Sequence, residues 1–199
     1  MNKKLAIFGA GGHGKVVGEI GLLNGYKDIH FFDDKIIEIK NFPFTIIGNL
    51  AKLKDSLKNY DAFFVAIGDN KLRYKKISHL RKEKVNLVSL IHPKSTISKF
   101  STIGNGTCVM ANAVVNPGTL IEEGVIINTS ASVDHDCVIE NYAHISPNCS
   151  LSGNVSIGKF THLGSGTSVH PGIHIGNNVK TGIGSKIYQN IFDDKVFKN

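Results

Sequence analysis

The stretch Ile121-Glu122-Glu123-Gly124-Val125-Ile126-Ile127-Asn128-Thr129-Ser130-Ala131-Ser132-Val133-Asp134-His135-Asp136-Cys137-Val138-Ile139 repeats itself every six residues. Aliphatic residues stand at Ile121, Ile127, Val133 and Ile139, and a small or β-branched residue follows four places later at Val125, Ala131 and Cys137. Extended both ways, the step of six runs from Ile97 to Ile187 without insertion, and fifteen of its sixteen positions are aliphatic, Thr181 being the exception. A period of six fits neither a helix nor an alternating strand. It fits a short strand plus a corner. Three residues after each aliphatic position come Gly106, Asn112, Gly118, Gly124, Asn148, Asn154, Gly166, Gly172, Asn178, Gly184 and Asn190, residue types that tolerate the left-handed backbone of a sharp corner. Three such units close a triangular coil of 18 residues, so residues 97–192 make about five coils of a parallel β-helix, each burying its inner face against its neighbours.

The rest of the chain reads differently. Lys4 to Phe8 is a buried strand, followed by Gly9-Ala10-Gly11-Gly12-His13-Gly14 and a helix-like Lys15 to Leu23. A G-x-G-x-x-G between strand and helix offers backbone N–H groups to a phosphate. A second strand, Ile29 to Phe32, ends in Asp33-Asp34, where a dinucleotide fold carries its ribose-binding acid, and a third, Phe63 to Ile67, runs into Gly68-Asp69-Asn70. NAD is the first ligand this suggests. The chain before the repeats is too short for the two halves of a dinucleotide fold, which leaves a half-sized nucleotide site. The division expected is a Rossmann-like α/β domain over residues 1–94 and the β-helix over 95–199.

Composition narrows the function classes. Of 199 residues 41% are apolar and 20% charged, enough to bury a core. No apolar run approaches a membrane span and no leader pattern opens the chain. Three scattered cysteines, Cys108, Cys137 and Cys149, make neither a disulfide framework nor a zinc site, and point to a reducing cytoplasm. The net charge of +7 sits in one half: 17 basic residues against 9 acidic through position 94, and 6 against 7 beyond it. Lys71, Arg73, Lys75, Lys76, Arg81, Lys82 and Lys84 have helical spacing and read as a solvated face rather than a nucleic-acid patch, which calls for interleaved aromatics.

On a repetitive scaffold, chemistry belongs to residues that break the pattern. The densest polar stretch is Asn128 to Cys137, with His135 between Asp134 and Asp136. A carboxylate beside a histidine holds its tautomer and stabilises its protonated form, and either aspartate suits. Gly153, eighteen residues on, stacks beside His135, as a corner glycine or as an unobstructed N–H donor to an oxyanion. His144 and His162, also 18 apart, stack on one another, and His170 and His174 extend a histidine-rich wall, for which metal ligation would require a convergent geometry.

The hexapeptide pattern resembles the left-handed β-helix acyltransferases. Taken with Ile7 to Val17, Phe32-Asp33-Asp34, Val65 to Arg73, Ile91-His92-Pro93 and Ile127 to Cys137, nearly the whole chain resembles the sugar O-acyltransferases of the sialic acid O-acetyltransferase type, which include the nucleotide-4-aminosugar N-acetyltransferases. The resemblance implies a small domain for the nucleotide of the sugar and a β-helix for acetyl-CoA, a co-substrate and not a resident cofactor. It further implies no metal, no nucleic acid and a cytoplasmic homotrimer with active sites between subunits. By the same resemblance His135 is the general base and Asp136 its acid, where many relatives carry glutamate. Asn128 lies near the acceptor amine. His144 and Gly153 face the thioester end of CoA, with His162 and Gly164 continuing that surface. Gly11, Gly12, His13, Gly14, Asp33, Asp34, Lys35, Gly68 and Asn70 form the nucleotide-sugar loops. Where relatives have a Gly-x-Pro-Ala-Lys tail, this chain has Asp193 to Asn199, a departure bearing on CoA affinity. The activity implied is acetyl transfer to the 4-amino group of a UDP- or dTDP-linked 4-amino-4,6-dideoxyhexose. The rivals are O-acetylation of a sialic-type hydroxyl and a non-catalytic nucleotide-sugar scaffold.

Overall fold

A computed structural model describes residues 3–35 and 42–198; Asn199, the end of the tail quoted above, lies outside them. The chain divides between Leu90 and Ile91, four residues ahead of the sequence-based boundary. Ile91 lies one six-residue step before Ile97, and the strand Leu90–Ile91 already joins a β-helix sheet, with the His92 N–H bonded to Val109 O at 2.8 Å.

The N-terminal unit is a four-stranded parallel sheet. Strands β1 (Lys4–Phe8), β2 (Asp28–Phe32), β3 (Thr45–Gly48) and β4 (Ala62–Val65) lie in the order β3-β2-β1-β4. Leu5, Ala6, Ile7 and Phe8 are all buried, as a central parallel strand covered on both faces requires. Helices α1 (Gly12–Leu23), α2 (Leu50–Asp55) and α3 (Asn70–Lys82) complete the unit. Helix α1 starts three residues earlier than its apolar pattern, because the glycine turn is its first turn. Gly14 fits there through size alone: a Cβ would stand 2.2 Å from Gly9 O. Strand β3 and α2 were not legible in the sequence; their short segments carry no sustained periodicity.

The basic face is not uniformly solvated. Arg73 is 1% exposed and donates to the carbonyls of Ile67 and Gly68 and to Asn70 Oδ1, while Lys76 pairs with Asp34 and lies 4.7 Å from the centre of the Phe8 ring. Helical spacing alone could not separate these two from their solvated neighbours, since both bury apolar stems and reach polar groups only the fold supplies.

The second unit is three parallel sheets of two-residue strands. One face carries Leu120–Ile121 and Val138–Ile139, the next Ile126–Ile127 and His144–Ile145, the third Ser132–Val133 and Ser150–Leu151. Register is 18 residues, as in Ile121↔Ile139, Ile127↔Ile145 and Val133↔Leu151, and these aliphatics fill one continuous core. Buried Thr119 is satisfied across coils: its hydroxyl donates to Asp134 O at 2.7 Å and accepts the Cys137 N–H at 3.2 Å.

Every sixth residue from 106 to 184 has positive φ. The sequence reading missed four of these corners, Ser130, Asp136, Tyr142 and Phe160, which lie at φ of 57° to 61°. Such residues pay about 1 kcal/mol or more for this backbone; the Tyr142 and Phe160 rings stack at 5.5 Å, and the Tyr142 hydroxyl donates to Glu123. Asn190 is not a left-handed corner as expected. The last coil is two residues short, pairing Ile175 with Ile191 and Lys180 with Val196, and its left-handed residue is Asp194. Val196–Phe197 thereby adds a strand over Lys180–Thr181.

Candidate functional site

A cavity of about 540 Å³ opens at the carboxyl edge of the four-stranded sheet. The β1–α1 turn supplies Gly11, Gly12 and His13, the segment after β2 supplies Asp33, Asp34 and Lys35, that after β4 supplies Gly68, and α3 supplies Leu72 and Lys76. Gly11 caps α1 in extended conformation with no side-chain cap and no acid in the first turn. A Cβ on Gly11 or Gly12 would meet nothing within 4 Å. The helix N-terminus thus presents open backbone donors to the cavity, beside two lysines, an arrangement suited to a diphosphate.

The acids have structural duties as well. Asp33 accepts the Ala10 N–H at 2.8 Å and the Lys35 N–H at 2.9 Å, bracing the glycine turn; Asp34 holds Lys76 and accepts the Leu50 N–H at 3.1 Å. Burial, with the Arg73 guanidinium adding to it, depresses His13 to about 4, so its imidazole is neutral at neutral pH. Its Nε2 is buried without a hydrogen-bond partner among the described residues. Gly14 and Asn70 stand behind the cavity lining, Gly14 against Gly9 and Asn70 accepting from Arg73 at 2.8 Å.

On the β-helix, His135 and Asp136 share the corner between the Ser132 face and the Leu120 face. His135 Nδ1 donates to Asp136 Oδ2 at 2.8 Å, and both side chains are more than half exposed. Asp134 Oδ1 accepts the His135 backbone N–H at 2.8 Å instead. The bond to Asp136, reinforced by the Asp134 charge, raises the proton affinity of the imidazole above its ordinary value. Nε2 makes no hydrogen bond among the described residues. Gly153 lies against that edge: a Cβ there would stand 2.5 Å from His135 Cε1 and 2.6 Å from Nε2.

The remaining polar residues lie elsewhere on the coil. Asn128 Oδ1 accepts the Thr129 N–H at 2.8 Å, which orients its amide to donate to His144 Nε2 at 3.1 Å. The His144 and His162 rings stack at 4.4 Å, and His162 Nε2 bonds Ser146 Oγ at 3.0 Å. His162 and Gly164 line a hollow of about 330 Å³ with Ser146, Ser165, Lys180, Thr181 and Ile183. Gly164 permits close coil stacking, as its Cβ would lie 2.5 Å from Gly182 O. The histidine wall does not form: His174 sits on the Leu120 face and His170 on the His135 corner column, because only a spacing of 18 keeps residues on one face. Among the described residues no group of three or more His, Cys, Asp or Glu can hold a metal ion, and no helix is long and apolar enough to cross a membrane.

Within one chain the His135 corner is the vertex opposite the His144 face, with Ile127, Val133, Ile139 and Ile145 packed between them. Two sets of polar residues therefore converge on no common point of a single β-helix.

The comparisons with known proteins agree with this architecture. Residues 4–80 match the PglD N-terminal domain. The acetyltransferase domain of PglB from Neisseria gonorrhoeae, also solved in complex with acetyl coenzyme A, superposes with a TM-score of 0.94 at 39% identity, covering 100% of this chain and 97% of that one. The chain belongs to the sugar acyltransferases of the sialic acid O-acetyltransferase type. PerB from Caulobacter crescentus, solved in complex with CoA and GDP-perosamine, has a TM-score of 0.91 at 34% identity, with 98% of this chain and 93% of that chain covered. A UDP-N-acetylbacillosamine N-acetyltransferase of Bacillus subtilis (strain 168) is 36% identical over 118 residues, 55% of this chain; the chain spans about half, 52%, of that relative's length. The family fold is the Rossmann-like α/β unit followed by the left-handed parallel β-helix that the sequence implied.

Proposed function

We propose that this protein transfers the acetyl group of acetyl-CoA to the 4-amino group of a UDP- or dTDP-linked 4-amino-4,6-dideoxyhexose. The observation that carries this reading is the exposed His135–Asp136 pair with Gly153 at its Nε2 edge, on a β-helix whose solved relatives include complexes with acetyl coenzyme A and with a nucleotide amino sugar. The N-terminal cavity receives the nucleotide diphosphate at the α1 N-terminus, and the His144–His162 face takes CoA.

In the reaction the amine nitrogen attacks the thioester carbon, the C–N bond forms and the C–S bond breaks. Because Nδ1 is committed to Asp136, the Nε2 lone pair receives the proton lost by the nitrogen and passes it to the departing thiolate. The Gly153 N–H supplies a donor to the carbonyl oxygen as it becomes an oxyanion. Holding both substrates together contributes a large share of the rate.

The separation of His135 from Asn128, His144 and His162 favours a site built by two copies, one giving the base and the other the CoA face, in a cytoplasmic homotrimer. Co-assembly of His135→Ala chains with His144→Ala chains is expected to regain part of the activity each lacks alone. The direct test is thiol release from acetyl-CoA with UDP-, dTDP- and GDP-linked 4-amino sugars and a sialic acid control. Turnover with an amino sugar, lost in His135→Ala, supports the assignment; turnover with the hydroxyl acceptor only, or none by a folded protein, overturns it.

A further inference from the structure

The His135 corner is held from the preceding coil by a residue whose side-chain hydrogen bond goes to Asp134 and not to the His135 ring. Asn116 lies 18 residues before Asp134, in the column Asn116-Pro117-Gly118 beneath Asp134-His135-Asp136. Its Nδ2 donates to Asp134 Oδ1 at 2.8 Å, the same oxygen that accepts the His135 N–H at 2.8 Å. The Asn116 N–H is itself fixed on Val133 O at 3.0 Å, and the Asp134 carbonyl receives the Thr119 hydroxyl at 2.7 Å. One aspartate is thus clamped at both ends, and the backbone of His135 hangs from it.

We propose that Asn116 is a positioning residue for the His135 base, acting through Asp134. The inference rests on His135 being that base. The His135 ring is more than half exposed and lies with one edge against Gly153; Asp136, at φ 57°, holds Nδ1, and the Asp134 clamp holds the backbone. Room for this arrangement comes from the same preceding coil, where a Cβ on Gly118 would stand 2.4 Å from Asp136 Oδ1. Without Asn116 the Asp134 carboxylate is free to turn toward water, His135 loses its backbone anchor, and the second negative charge beside the imidazole moves away. The titratable groups facing His135 are Asp134, Asp136 and the buried Cys137, whose thiol points at the His135 and Ser152 carbonyls. The flanking coils offer Asn116, Pro117 and Gly118 on one side and Ser152, Gly153 and Asn154 on the other, none of which titrates.

The test is the pH profile of acetyl transfer by Asn116→Ala, Asp134→Asn and their double variant, with His135→Ala as control. Asn116→Ala is expected to lower kcat roughly tenfold, as a misaimed catalytic group does, to shift the acid limb to lower pH, and to leave the KM for acetyl-CoA near the parent value. Asp134→Asn shifts the limb the same way, and the double variant shows less than the sum of the two, since both act through one oxygen. Asn116→Asp keeps the shape, adds a negative charge, and moves the limb to higher pH while kcat still falls. Parent kcat and parent pH profile in Asn116→Ala, with only a lower thermal midpoint, would reduce Asn116 to a coil-to-coil staple and overturn the proposal; additive effects in the double variant would do the same. Parent turnover by His135→Ala is a separate failure, of the base assignment itself.

Discussion

Gly153→Ala is the sharpest perturbation the structure offers. The new Cβ would sit 2.5 Å from His135 Cε1 and 2.6 Å from Nε2. Ordinary contact begins near 3.4 Å, so the ring must retreat by about 1 Å, a displacement for which positioned catalytic groups lose on the order of 100-fold in rate. The retreat is structurally cheap, because the His135 side chain is 61% exposed and swings into water. It is functionally expensive, because the 2.8 Å bond to Asp136 that orients Nδ1 cannot survive it. The variant is therefore expected to fold with a thermal midpoint within about 2 °C of the parent, to lose about two orders of magnitude in kcat with amino sugar and acetyl-CoA saturating, and to move its acid limb to lower pH as the imidazole returns toward its ordinary proton affinity. Steady-state thiol release alongside a melting curve separates these effects. A variant with parent kcat would refute the claim that His135 works from the observed position, and a large fall in melting temperature would make Gly153 a packing residue.

The other predictions concern different parts of the chain. Gly14→Ala drives a Cβ to 2.2 Å from a backbone carbonyl that cannot yield, so it should destabilise the α/β unit by about 2 to 4 kcal/mol, seen in denaturant unfolding, and weaken nucleotide-sugar binding. His13 stays neutral in the fold down to about pH 4 but takes a proton below its ordinary value near 6.5 when unfolded, so stability should fall as pH drops through that window. A His13→Gln variant should show a flatter dependence; equal slopes in pH-dependent melts would contradict the burial argument. Cys108, Cys137 and Cys149 are buried, and burial pushes Cys149 up to about 11. A thiol reagent at neutral pH should leave the native chain unlabelled and react with all three after denaturation; rapid native labelling would place a thiol at the surface.

The six-residue step was legible because the β-helix is nearly one-dimensional. Each residue's neighbours lie 18 positions away in the same chain, so the pairings Ile121↔Ile139 and His144↔His162 follow from counting. The glycine turn after β1 was legible for a similar reason: strand, turn and helix are local. Arg73 was misread because its partners, the Ile67 and Gly68 carbonyls, become an acceptor pocket only once β4 and α3 are packed. Tyr142 and Phe160 went unseen as left-handed corners because residue type alone argues against that backbone, and only ring stacking across coils offsets it. Nothing local marks Asn116 in the sequence; counting 18 places back from Asp134 is the available signal.

Sequence alone determined the repeat, the coil length, the nucleotide-type turn and the presence of a histidine flanked by two acids, all properties of spacing along one chain. Tertiary structure decided which acid holds the His135 ring, since Asp134 and Asp136 are equivalent in sequence and differ only in direction: one carboxylate turns back to the backbone N–H, the other forward to Nδ1. Side-chain direction at a corner depends on φ, and the left-handed backbone of Asp136 is what swings its carboxylate to the imidazole.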